Sequence, residues 1–290
     1  MISILIATYQ WDTEALVKSL VKEISESNIV AEIICYDDAS GFEQSKEFMS
    51  LPYLNYRALD SNIGRSVIRN LMAKEAKYSL LLFLDADSLP KRKDFLQNYL
   101  TFSTKYEVVC GGTAYYPNPP TKKNELLRWV YGWQREQRLP EDRIEQPYFS
   151  FTSNNFLIKK SVFESQPFDE KIKKYGHEDT LFGLGLRKNG VKIGHIDNPV
   201  YHLGLDDGDA FLKKTVDAIE NLVDLYNEGK VGKEVKLIRM YLKLKRIGLI
   251  QPFNWYFRLM ESRIRQNLVG FNPKLRNLDI LKLGYFCQQV

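Results

Sequence analysis

Apolar residues gather along this chain in two different rhythms. Residues 2–8, 31–36 and 80–84 are short, almost unbroken apolar runs, as expected of strands covered on both faces. Residues 54–59 form a weaker run of the same kind. Between these runs Leu16, Leu20, Val21 and Ile24 recur at helical spacing, and residues 66–76 follow that spacing too. Strands alternating with helices predict right-handed crossovers and a parallel sheet. Further on, residues 95–103 read as a helix, 107–112 as a strand and the Pro-rich 115–121 as a loop. Residues 146–158 lead into another strand, a helix begins near Asp179, and short strands surround His195 and His202.

Each early apolar run ends in polar residues. Thr8-Tyr9, Asp37-Asp38, Asn62 to Arg65, and Asp85-Ala86-Asp87 all fall at predicted carboxyl ends of strands or just beyond, where ligands sit in such sheets. Side chains alternate along an extended chain, so Asp85 and Asp87 are expected on one side. Two carboxylates that close repel unless a cation or a proton lies between them, and Mg2+ or Mn2+ bridging to substrate phosphates resolves the conflict. The plainer reading is a strand followed by a polar turn with its carboxylates in water. The other clusters divide in the same way. Asp38 suits the N3–H of a uracil or the capping of a turn; Tyr9 suits base stacking or the core. Arg65 suits a base or phosphates, while Arg65 or Arg69 equally suits a solvated helix face.

The later chain adds a segment at 125–138 with Trp129, Tyr131 and Trp133, readable as a platform for a sugar or as packing against the sheet. Asn154 and Asn155 suit sugar hydroxyls or a turn. Glu178 and Asp179, behind Gly176-His177, sit where a helix dipole stabilises carboxylates.

Composition narrows the class. The 290 residues allow one large α/β domain with an appendage or two modest domains. Cys35, Cys110 and Cys287 match no zinc spacing and read as buried thiols in a reducing compartment. The N-terminus lacks the basic flank of a signal peptide, and no run approaches the ~20 apolar residues of a membrane span. The net charge of +5 is unevenly placed: residues 233–276 hold eleven Lys or Arg against Glu234 and Glu261. Aromatic and aliphatic residues interleave there, giving basic amphipathic helices that suit an anionic membrane surface or a cap with a solvated face. Nucleic acid is excluded as the favoured partner because no recognition motif accompanies the charge.

Taken together, residues 3–9, 36–40, 62–70 and 83–87 resemble the nucleotide-binding half of a family 2 glycosyltransferase of the GT-A fold. The departures are Ala7 for Pro, Gln10 for Asn and Ala39 for Gly. The resemblance implies a Rossmann-like mixed α/β sheet flanked by helices over residues 1–205 and a basic helical extension over 206–290. It implies a donor site of Thr8, Tyr9, Asp38, Asn62, Arg65, Asp85 and Ala86, with Asp38 on the base and Asp85 on ribose or metal. Mn2+ or Mg2+ is expected on Asp87, Asp85 and His202, with His202 preferred to His195 as the late histidine ligand. The string from Phe168 to Thr180 resembles the acceptor motif of galactosyl- and N-acetylgalactosaminyltransferases, with Asp179 as general base beside Glu178. The expected activity is inverting transfer from a UDP-sugar to a glycan or lipid-linked saccharide, in the cytoplasm or peripherally on the inner face of its membrane. A non-catalytic nucleotide-sugar-binding scaffold of the same fold is the alternative, and a nucleotidyltransferase is disfavoured by the lack of a Gly-rich basic loop after Ile6.

Overall fold

The computed structural model describes residues 1–171 and 176–290; Tyr175 of the predicted acceptor motif lies outside them. The chain divides into two compact units. The first comprises Met1–Tyr115, Glu136–Lys173 and Phe182–Gly204; the second comprises Tyr116–Arg135, Lys174–Leu181 and Leu205–Val290.

The first unit is built on a seven-stranded sheet of order β3-β2-β1-β4-β8-β6-β9. Its strands are β1 (Ile2–Thr8), β2 (Ala31–Asp37), β3 (Leu54–Ala58), β4 (Leu80–Asp85), β6 (Val108–Cys110), β8 (Asn155–Lys159) and β9 (Ile193–His195). The sheet's first four strands in sequence, β1 to β4, pair in parallel, as their alternation with helices predicts. β8 runs antiparallel to β4 and β6, which makes the sheet mixed. A small second sheet joins β5 (Ser88–Pro90), β10 (Val200–His202) and β7 (Thr113–Ala114).

The apolar runs are continuous because alternate residues feed two separate cores. Ile2, Ile4, Ile6, Ile33, Cys35, Leu82 and Leu84 pack on one face with α1 (Glu14–Ser27). Leu5, Ile34, Tyr36, Leu81 and Phe83 pack on the other, against Ile68, Met72 and Ala73 of α3 (Arg65–Glu75). Short α2 (Lys46–Met49) precedes β3, and α4 (Phe95–Phe102) joins the first core through Phe95, Leu96 and Tyr99. The second core ends in an aromatic cluster in which Phe168 stacks on Phe182 at 4.6 Å and Phe83 on Phe156 at 4.8 Å.

Helix α5 (Leu126–Tyr131) runs into a π-helical turn at Gly132–Glu136, followed by α6 (Pro140–Ile144), α7 (Lys160–Ser165) and α8 (Glu178–Lys188). The second unit is helical, with α9 (Gly208–Asn227), α10 (Lys236–Arg246), α11 (Ile250–Leu268) and α12 (Leu275–Gln289). Leu127, Leu212, Phe257, Leu268, Leu278 and Leu281 form its core. Asp207 starts α9 by accepting from the Ala210 N–H at 2.8 Å, an ordinary N-cap. Among the described residues no helix is long and apolar enough to cross a membrane.

Candidate active site

The parallel register sets the polar ends side by side: Thr8 lies opposite Asp37, and Ala7 opposite Asp85. Thr8 is buried and donates its hydroxyl to the Trp11 carbonyl at 3.0 Å. Tyr9 follows and is 53% exposed, so its ring is not a core residue. Gln10 then turns the chain at φ 52°.

Asp38 organises the next loop. Its Oδ1 accepts from the Ile63 N–H at 2.7 Å and its Oδ2 from the Gly64 N–H at 2.9 Å. Asn62 donates its amide to the Asp38 carbonyl at 3.1 Å. One buried carboxylate therefore fixes the entry to α3, whose first residue, Arg65, is exposed. Asp37 is held locally by the Ser40 hydroxyl at 2.8 Å. Ala39 between them sits at φ 59°, a region where a Cβ is crowded.

The alternation expected to align Asp85 with Asp87 stops at Asp85, because β4 ends there and Ala86-Asp87 form a turn into β5. The two carboxylates go to different partners. Asp85 accepts from the Arg69 guanidinium at 2.6 Å, and its side chain is 38% exposed against 9% for Arg69. Asp87 Oδ2 lies 3.3 Å from His202 Nδ1. Hydrogen-bonding of the Leu203 N–H to the Asp87 carbonyl at 2.8 Å, and pairing of His202 with Ser88, hold β5 and β10 together there. The Tyr115 ring meets His202 edge-on at 5.7 Å, and its hydroxyl bonds to Glu136. A Cβ on Gly204 would collide with Asp87 Oδ2, so that glycine clears the space the carboxylate occupies. Of the expected ligand set, Asp87 and His202 come together while Asp85 is turned to Arg69. Among the described residues no three His, Cys, Asp or Glu side chains gather as a metal cluster.

His195 belongs to the interior. Its Nε2 donates to the Pro147 carbonyl at 2.8 Å and its Nδ1 faces Arg143 at 3.2 Å. Burial, with Arg143 adding to it, holds the imidazole down to about 4, so it is neutral. Arg143, itself buried, also donates to the carbonyls of Cys110, Gly111 and Ile196. Asn155 is fully buried and bonds Tyr99, Gly112 and Asn198, which makes it a core residue and not a sugar ligand. Asn154 is half-buried and donates to Thr113 at 2.8 Å.

Glu178 and Asp179 open α8 and belong to the second unit. Gly176 and His177 before them both take positive φ, at 90° and 69°. Asn221 bonds the Gly176 carbonyl, and a Cβ on Gly176 would meet Ala218. Burial lowers the His177 imidazole to about 4, with Lys282 contributing, so this histidine too is uncharged. In the same unit Trp129 and Trp133 stack at 5.8 Å, Trp129 Nε1 donates to the Tyr116 carbonyl, and Tyr131 packs on Phe211.

Arg69, which the sequence allows on a solvated helix face, is instead buried with Ile68, Met72 and Ala73 on the stripe of α3 that faces inward. The sequence gives no signal for the parts played by Tyr115 and Gly204.

A family model described as Glycosyl transferase family 2 matches residues 3–166, more than half of the chain. The chain belongs to glycosyl transferase family 2. It is a glycosyltransferase, and its mixed sheet is the GT-A fold expected of such a family 2 enzyme. No curated protein sequence matches it. Among solved structures, S. aureus TarS 1-349 in complex with UDP is similar at a TM-score of 0.52 and 17% identity, over 99% of this chain and 88% of that one. The mannosyltransferase PcManGT from Pyrobaculum calidifontis, in complex with GDP-Man and Mn2+, gives 0.52 and 13% identity over 79% and 63%. A further TarS crystal structure gives 0.50 at 16% identity, and this chain spans only 38% of its length. At these identities the likeness is one of fold.

Proposed function

We propose that this family 2 glycosyltransferase is a metal-dependent inverting enzyme. It moves a sugar from a nucleotide-diphospho sugar, of the UDP type, to a hydroxyl of a glycan or lipid-linked saccharide. The observation that carries the reading is the Asp87–His202 pair at 3.3 Å just past the end of β4, which pairs with β1. A carboxylate and an imidazole suit Mn2+ or Mg2+, which take few protein ligands and complete their shell with substrate phosphates and water. Gly204 keeps the carboxylate's space clear, so these donors fit such an ion. When bound, the metal supplies positive charge to the departing diphosphate. Two similar folds support a nucleotide-sugar donor: TarS, seen with UDP or UDP-GlcNAc, and PcManGT, seen with GDP-Man and Mn2+.

The chain's own residues then divide the work. Tyr9 stacks on the base, and Asp38 accepts from it with the lone pairs that the Ile63 and Gly64 amides leave open. Thr8, Asn62, Arg65 and Ala86 line the donor. Asp85, oriented by Arg69, accepts from the ribose. Asp179 takes the acceptor hydroxyl's proton as that oxygen attacks the anomeric carbon from the face opposite the leaving diphosphate, with Glu178 alongside. The acceptor motif favours galactosyl or N-acetylgalactosaminyl chemistry. A lipid-linked acceptor would place the enzyme peripherally on the inner face of the cytoplasmic membrane.

The test is Asp179→Asn, assayed for transfer and for donor binding by calorimetry. A positioned base supplies ~10²–10⁴ in rate. Transfer should fall by that factor with donor affinity unchanged, and the product anomer of the wild type should be inverted. Near-wild-type transfer by the variant would remove Asp179 as base; tight donor binding by the wild type without turnover on any acceptor would make the chain a binder.

A further inference from the structure

Helix α11 carries two apolar faces. Phe257, Ile264 and Leu268 are buried in the helical unit. Trp255 and Leu259, one turn apart and therefore neighbours on the helix surface, are 68% and 60% exposed. The exposed run does not stop at the helix. Residues 245–249, the end of α10 and its link to α11, are exposed throughout and include Ile247 and Leu249. Beyond the half-buried Ile250 come the exposed Gln251 and Pro252, which precede Trp255 by one turn.

Charge on this stretch has one sign. Residues 236–268 contain eight Lys or Arg and a single acid, Glu261. Glu261 is engaged by Arg265 at 3.3 Å and by the Tyr285 hydroxyl, so it does not offset the others. Among the described residues Arg246 and Arg258 form no ion pair, and Lys245 lies over the Tyr241 ring at 5.7 Å. A soluble monomer seldom leaves Trp, Leu and Ile in water together without a partner. An acidic soluble polymer would answer the charge and leave the aliphatic side chains wet. An anionic bilayer answers both, because its headgroups face the basic side chains and its interface accepts Trp and Leu.

We infer that the α10–α11 corner is a membrane-docking surface for anionic phospholipid, with Trp255 and Leu259 entering the interface and Lys245, Arg246 and Arg258 meeting the headgroups. This deepens the lipid-linked acceptor of the proposed function by naming the surface that reaches the lipid.

The experiment is flotation of the whole chain with vesicles of phosphatidylcholine alone or with phosphatidylglycerol, in the absence of donor and acceptor. Wild type should float only with anionic vesicles, and the tryptophan emission should shift to the blue. Each basic side chain near such a surface strengthens binding by ~1 kcal/mol, about fivefold. Lys245→Glu/Arg246→Glu should therefore weaken binding at least 25-fold, and Trp255→Ser/Leu259→Ser should weaken it at least tenfold and abolish the blue shift. Both variants change exposed positions, and circular dichroism verifies that they fold. Equal binding of wild type and variants would overturn the inference. So would equal flotation with neutral vesicles, or a dimer in light scattering that the Trp255→Ser/Leu259→Ser variant dissolves. The readout needs no turnover, so loss of transfer activity and loss of vesicle binding report on separate claims.

Discussion

The Arg69–Asp85 pair gives the sharpest prediction because its two halves are unequally buried. Arg69 has 9% of its side chain exposed and Asp85 has 38%. Replacing Arg69 by Met removes a buried charge and leaves a carboxylate that water can still reach, a loss of ~1–2 kcal/mol after solvent screening. Replacing Asp85 by Asn strands a buried guanidinium, which cannot shed its proton, and leaving such a charge unpaired costs ~3 kcal/mol. The double variant has neither charge, so its loss should fall short of the sum by ~1–3 kcal/mol. Urea denaturation of the four proteins measures all three quantities. Arg69→Met proving as harmful as Asp85→Asn, or simple additivity, would refute the argument. The same variants carry a functional readout: Asp85→Asn should weaken donor binding yet keep its dependence on Mn2+, whereas Asp87→Ala should lose that dependence.

Three further outcomes follow from single positions. Gly204→Ala drives a methyl into the Asp87 carboxylate and away from its 3.3 Å approach to His202; Mn2+-dependent donor binding should fall at least tenfold in calorimetry with Asp38-dependent loop structure intact. Ala39→Gly relieves a left-handed backbone at φ 59° and should stabilise the fold by ~0.5–1 kcal/mol in urea, the strain saved exceeding glycine's added unfolded freedom. Glu23 is buried under the start of α4, where it accepts from the Leu96 and Gln97 amides, and burial pushes its carboxyl from 4.5 up to about 7. The folded state thus holds its proton more tightly than the unfolded state between those values. Stability should fall by ~2–3 kcal/mol as pH rises from 4.5 to 7 and level off above, and Glu23→Gln should flatten that decline.

Much of the first unit was legible because its strands bury both faces. Runs such as 80–84 stay apolar throughout only when alternate residues enter two cores, and here Leu82 and Leu84 enter one while Leu81 and Phe83 enter the other. The antiparallel β8 was not legible as such, since residues 155–159 look the same in either direction. The polar strand ends were legible where a carboxylate closes an apolar run, as with Asp38 just past β2 and with Asp85 and Asp87 at and just past the end of β4. The site was illegible where the partner comes from far along the chain. Arg69 reads equally as a solvated helix position until Asp85 is placed beside it, and Gly204 acquires its meaning from a carboxylate 117 positions earlier. Asn155 misled for the converse reason: a polar residue beside a predicted site can be spent inside the core, here on Tyr99, Gly112 and Asn198.

The helical unit is assembled from three separated stretches, so the chain passes between the two units five times. That interlacing bears on modularity. Residues 116–135 hold Leu127 and Tyr131, which pack with Leu212 and Phe211 of the last stretch, and Gly176 is tied to Asn221 there. A gene truncated after Gly204 would not yield a free-standing catalytic module, because two internal segments would lose the helices they cluster with. Recombination that exchanges C-terminal helices between relatives would have to carry those two internal segments as well. The unit can be inherited or redesigned as a whole, but not appended or clipped off like a terminal cassette.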